Sequence, residues 1–148
     1  MEPPRTSRAI ASVGWPRALF YLLQFTWGLS VNLAGLLVFL ICRRHGRSES
    51  FYNSVVTYLP GNRGGLSLGI FLFLSVSGTQ EHCGLCTHEY GHTIQCLFLG
   101  PLYWVVVALP SIIWYHCFAG FRAKRGTAYD ALYCEGWATA WGKKWSGA

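Results

Sequence analysis

The feature that most constrains this chain is the run from Trp15 to Cys42, WPRALFYLLQFTWGLSVNLAGLLVFLIC, which carries no charge between Arg17 and Arg43. An apolar stretch of about 20 residues matches the thickness of a bilayer when helical. It is too long for the apolar core of a cleaved signal peptide, about 7–15 residues. The run therefore predicts an uncleaved transmembrane helix. Gln24, Gly28, Asn32 and Gly35 recur in it at helical spacing. Two amides on one face are costly in lipid, so that face is expected to pack against protein.

A second apolar run, Leu102 to Gly120, predicts another transmembrane helix, kinked at Pro110. Charged residues make up only 12% of the chain, against about 25% in soluble domains. The net charge of +6 comes from Arg and Lys clusters outside the apolar runs, as expected of segments that meet anionic headgroups. Basic charge also raises nucleic acid as a partner, but no basic stripe on a folded surface is discernible, and none is expected. Arg5, Arg8 and Arg17 precede the first span and Arg43, Arg44 and Arg47 follow it, so basic charge does not orient it.

These signals predict a mainly α integral membrane protein with about two transmembrane helices. Residues 1–14, MEPPRTSRAIASVG, read as a flexible basic tail. Residues 15–148 read as a single membrane-embedded domain. Between the spans, Phe51 to Gly78 contains the turn-rich PGNRGG, and its apolar part is too short to cross a bilayer. It predicts a short β-hairpin or re-entrant element, with strands near 51–58 and 66–75. A further helix should start near Glu81–Cys83 and end at Leu99, before Gly100–Pro101. The last element, Thr127 to about Trp145, reads as a helix.

The helix that ends at Leu99 and the last helix carry the chemistry. His88-Glu89-Tyr90-Gly91-His92 is H-E-x-x-H. Residues four apart lie one turn above each other on a helix, so His88 and His92 can offer two imidazoles to one metal ion. Glu89 is rotated by about 100° and can take a proton from an activated water. Zinc needs a third protein ligand, with the fourth position left for water. In TAYDALYCEGWATAWGKKW, Tyr129, Tyr133, Trp137, Trp141 and Trp145 recur every four residues and form an aromatic stripe. Small residues lie opposite, with Glu135 in their midst. An unpaired carboxylate on a close-packing face is costly, and a metal at His88 and His92 would remove that cost. The competing readings are a Glu135 ion pair with Arg122 or Lys143 and two hydrogen-bonded histidines in a polar pocket.

H-E-x-x-H followed downstream by E-x-x-A resembles the gluzincin metalloproteases, including membrane-embedded peptidases. The resemblance covers mainly residues 81–142. It implies His88, His92 and Glu135 as zinc ligands and Glu89 as catalytic base. Its substrate would be a peptide or membrane protein at the lipid bilayer. Thr139 stands where the pattern has an aspartate that orients a ligand histidine. The asparagine and aspartate motif of site-2 proteases is absent. The rival function is a non-catalytic membrane protein with a structural metal site, or a degenerate peptidase acting as scaffold. Cys83 and Cys86 form C-x-x-C, a candidate for structural zinc or redox pairing, but no second such pair exists. Six cysteines, three of them in or beside apolar stretches, read better as buried thiols than as a secreted disulfide framework.

Overall fold

The structure, a computed structural model, describes residues 16–61, 64–76 and 83–146. The expected basic tail, 1–14, lies outside them, as do His82 and the side chain of Cys83. The first apolar run is two helices, α1 (Arg17–Phe25) and α2 (Leu29–Cys42), set at 89° to each other. Asn32 closes the elbow. Its Nδ2 donates to the Gln24 carbonyl at 2.9 Å, to Gln24 Oε1 at 2.8 Å and to the Gly28 carbonyl at 3.0 Å. Its Oδ1 accepts the Ile70 N–H at 2.9 Å. Gln24 Nε2 donates to the Thr93 carbonyl at 3.0 Å. The Asn32 amide thus satisfies the Gln24 carbonyl, which an unbroken helix would have paired with the Gly28 N–H. The polar face of the run does pack against protein, as the spacing required.

The chain then forms β1 (Arg47–Phe51), β2 (Ser54–Pro60), β3 (Gly64–Leu68) and β4 (Phe71–Val76), in the order β1-β2-β4-β3. β1 and β2 are antiparallel, β2 and β4 parallel, and β3 and β4 antiparallel. This four-stranded mixed sheet replaces the expected hairpin or re-entrant element. The basic segment after Cys42 supplies β1. β4 lies inside the sheet, and its Leu72 and Leu74 are fully buried with Val56 of β2. Gly69, at φ 64° in the β3–β4 turn, lies against the Asn32 amide.

α3 (Cys83–Leu99) packs along β3 and ends where Gly100 takes φ 53°, as the Gly-Pro signal predicted. A 3-10 turn (Gly100–Leu102) and a π-helical segment (Trp104–Ala108) lead into α4 (Leu109–Cys117). The π-to-α change falls at Pro110, which has no N–H to give. α5 (Ala119–Arg125) follows, and α6 (Tyr133–Ser146) closes the chain. The last helix starts later than expected, because Tyr129–Ala131 forms a separate 3-10 turn.

These elements correct the membrane reading. No single helix among the described residues is long and apolar enough to cross a membrane. The first apolar run is broken at Thr26–Gly28. Gly84–Leu102 and Trp104–Cys117 meet at 119°. The expectation of a mainly α, integral membrane fold with two spanning helices therefore fails, and so does the localisation drawn from it. α2 and α3 pack against the mixed sheet, and the core joins the sheet to α3 through Tyr90, Ile94 and Leu97 and to α2 through Val31.

Candidate metal centre

The site stands on the contact between α3 and α6, and small residues make that contact close. A side chain on Gly91 would run into the Ala138 backbone carbonyl, and one on Gly142 into the Thr87 carbonyl. The small-residue face read from the sequence of α6 is thus the face that meets α3. It carries Glu135, fully buried, into the gap between His88 and His92.

Both histidines aim Nε2 at one oxygen. His88 Nε2 lies 3.0 Å and His92 Nε2 3.3 Å from Glu135 Oε2. The rings are nearly perpendicular, with centroids 5.0 Å apart. One ligand atom from each of the three residues falls within 4.8 Å of the others, a group that could hold a metal ion. Tetrahedral zinc with bonds of about 2.0–2.1 Å sets its ligand atoms about 3.4 Å apart. The two imidazole-to-carboxylate distances are within about 0.4 Å of that spacing, and the three ligand atoms together span no more than 4.8 Å. Glu135 Oε1 is buried and makes no hydrogen bond. A buried carboxylate oxygen without a partner is costly, and a cation between the imidazoles would remove the deficit. The donor set of two imidazoles and a carboxylate suits zinc and several neighbouring metals.

The far side of each imidazole is held. His92 Nδ1–H donates to Gln95 Oε1 at 2.7 Å, and Gln95 Nε2 donates to the Cys134 carbonyl at 2.7 Å. The second bond fixes which end of the amide faces His92, so Nδ1 carries the proton and Nε2 is directed at Glu135. His88 Nδ1 lies 2.9 Å from Thr139 Oγ1. Thr139 therefore occupies the orienting position that an aspartate fills in the pattern, with a hydroxyl in place of a carboxylate. Gln95 was missed from the sequence. Its signal was a buried-type amide three residues after His92, on the same helical face.

Electrostatics follow from burial and proximity. Burial works against the charge of Glu135, but hydrogen bonds from His88 and His92 hold its carboxyl well below the usual range, with a smaller contribution from Ser111. Burial also works against a charged His92, yet Glu135 and Glu89 outweigh it and raise its pKa. Burial pushes the Glu89 carboxyl up, against the opposing pull of His92 and His88. Glu89 is 4% exposed and lies directly against Gly65 of β3, where a side chain would overlap its carboxylate.

A cleft of about 330 Å³ opens onto this group. It is lined by Gly64 and Gly65 of β3, by Leu85, His88 and Glu89 of α3, and by Tyr115, Tyr129 and Asp130. The cleft-lining tyrosines had not been singled out for this role. Tyr129 was assigned to the aromatic stripe of the last helix, but it lies in the preceding 3-10 turn, with its ring 6.4 Å from His88. Tyr133 and His116 do not line the cleft. Tyr133 donates to the Val106 carbonyl at 2.6 Å, and His116 is exposed. Glu135 pairs with neither Arg122 nor Lys143. Arg122 instead lies over the rings of Trp114 and Tyr129.

Compared with known protein families, curated proteins and solved structures, the chain matches none.

Proposed function

We propose that the protein is a metal-dependent hydrolase, a zinc peptidase similar in its site to the gluzincins. The observation that carries this reading is the convergence of His88 Nε2 and His92 Nε2 on a buried Glu135, with Glu89 beside them in the lining of a cleft. Zinc, when bound, supplies a Lewis acid that acidifies water and polarises a carbonyl.

The remaining work belongs to the chain. Gln95 and Thr139 hold the imidazoles in the orientation that presents Nε2. The Glu89 carboxylate accepts a proton from the attacking water and returns it to the leaving nitrogen. Gly65 leaves room for that carboxylate at the strand. Peptide as the substrate class is supported by β3, an edge strand of the sheet, whose Gly64 and Gly65 line the cleft. An edge strand presents unpaired backbone groups that can align an extended chain.

Glu89→Gln tests the assignment. It removes the proton acceptor and keeps all three ligands. The expected outcome is full metal content with peptide hydrolysis lowered by about 10²-fold or more. Hydrolysis by Glu89→Gln at the wild-type rate would remove Glu89 from catalysis. Wild-type protein that holds metal but cleaves no member of a mixed peptide library would favour a structural metal site.

A further inference from the structure

α2 is built inside out for a helix in water. It buries Asn32 and Gly35 together with Val31, while its leucines and Ile41 are exposed. Leu33, Leu37 and Ile41, spaced at one helical turn, are 55%, 62% and 61% exposed. A surface helix normally shows the reverse pattern. Contiguous apolar surface on this scale marks an interaction site. The face continues past the elbow, because Trp104 Nε1 donates to Ser30 Oγ at 3.2 Å and Gly100 lies against the Trp27 ring. Leu102 and Val105, beside those contacts, are 57% and 65% exposed.

The charges beside this face have one sign. Arg43 and Arg44 follow α2 directly and are exposed, and no Asp or Glu occurs from Pro16 to Ser48. Protein interfaces carry a polar rim around an apolar centre. A uniform aliphatic face ending in cations instead complements acyl chains bordered by anionic headgroups.

We infer that the outer face of α2, with Arg43 and Arg44 at its end, seats the protein on an anionic lipid surface. The contact is with one leaflet. α2 has 14 residues, a length of about 21 Å, against an apolar layer about 30 Å thick. It needs no helix to cross, and it stands independently of the metal centre. Trp27 and Trp104, 48% and 37% exposed, lie at the junction of the two apolar surfaces and report on it.

The test is flotation of the full chain with phosphatidylcholine vesicles, with and without phosphatidylglycerol. The wild type is expected to float with the anionic vesicles. Replacing Arg43 and Arg44 with Ala should weaken that partition by about 30-fold, at about fivefold per basic residue. Leu37→Ser with Ile41→Ser should abolish flotation while the circular dichroism spectrum stays native. Should that variant fail to fold, brominated lipid decides on the wild type. Quenching that drops in Trp27→Phe and in Trp104→Phe supports the contact, and quenching unchanged in both overturns it. No flotation with anionic vesicles, or flotation indifferent to the arginines, overturns the proposal. So does a stable dimer in light scattering that Leu37→Ser with Ile41→Ser dissociates, because a second copy would then cover the face.

Discussion

Replacing Gln95 with Leu isolates the role of the group behind His92. The side chain is fully buried, and Leu fills similar volume, so the change removes two hydrogen bonds with little loss of packing. His92 Nδ1–H loses its acceptor at 2.7 Å and the Cys134 carbonyl loses a donor at 2.7 Å. Each buried polar group left without its partner costs about 1–3 kcal/mol. The carbonyl has a second lone pair, so together they should cost about 2–4 kcal/mol. An unfolding entropy of about 2.1 cal/mol/K per residue converts this to a melting temperature lower by roughly 6–13 °C. Metal binding should weaken by about 10–100-fold, because the imidazole loses the bond that fixes its tautomer and direction. Thermal unfolding of the metal-free protein and calorimetric zinc titration give the two numbers. Gln95→Glu separates positioning from stability. Its carboxylate again accepts Nδ1–H, so zinc affinity should recover toward wild type while stability stays low. Zinc affinity within twofold of wild type in Gln95→Leu would refute the claim that Gln95 holds His92 for a metal.

Four further outcomes follow from the same geometry. Gly91→Ala pushes a methyl group into the Ala138 carbonyl, so urea unfolding should show a loss of about 1–3 kcal/mol; an unchanged midpoint would mean that α3 and α6 are not in this close contact. Gly65→Ala displaces the Glu89 carboxylate and should lower peptide hydrolysis with zinc content intact; unchanged turnover would place Glu89 elsewhere. Burial pushes the Cys96 thiol up to about 12 and the Cys134 thiol up to about 11, so at pH 8 iodoacetamide should label exposed Cys117 in the native protein and those two only after unfolding. In the metal-free protein His92 and Glu89 both have raised pKa values. Their contributions to stability are full below the unfolded values, about 6.5 and about 4.3, and are lost as pH rises through the folded ones. Metal-free protein should therefore melt at a lower temperature at pH 8 than at pH 6, and a flat or rising profile would contradict the shifts.

The three residues of the candidate metal group were legible because each breaks its local pattern. His88 and His92 lie one turn apart on a helix that Gly100 ends as expected. Glu135 is a lone carboxylate on a face of small residues, and Gly91 and Gly142 show why that face is small. The bend between α1 and α2 was not legible. No charge or proline marks Thr26–Gly28, and the break depends on Asn32 reaching back to Gln24 and Gly28. The sheet was half legible. The expected strands, 51–58 and 66–75, each straddle a turn, at Tyr52–Asn53 and Gly69–Ile70, so only their later parts match β2 and β4; the parallel pairing of those two, with β3 turned back to the outside, depends on contacts distant in sequence. The aromatic wall of the cleft was hidden because the four-residue spacing of Tyr129 and Tyr133 suits a helix that begins only at Tyr133. The membrane-spanning expectation failed for a related reason. Apolar length counts toward a span only when one helix carries it, and here it is divided at the elbow.

The most direct test of the metal centre is metal content by elemental analysis of the purified protein after zinc loading and desalting, compared among wild type, His92→Ala and Glu135→Ala. The account predicts about one zinc per chain in the wild type, the occupancy of a single three-ligand site, and its loss in both variants. Wild-type protein without zinc, or either variant retaining the wild-type amount, would contradict it.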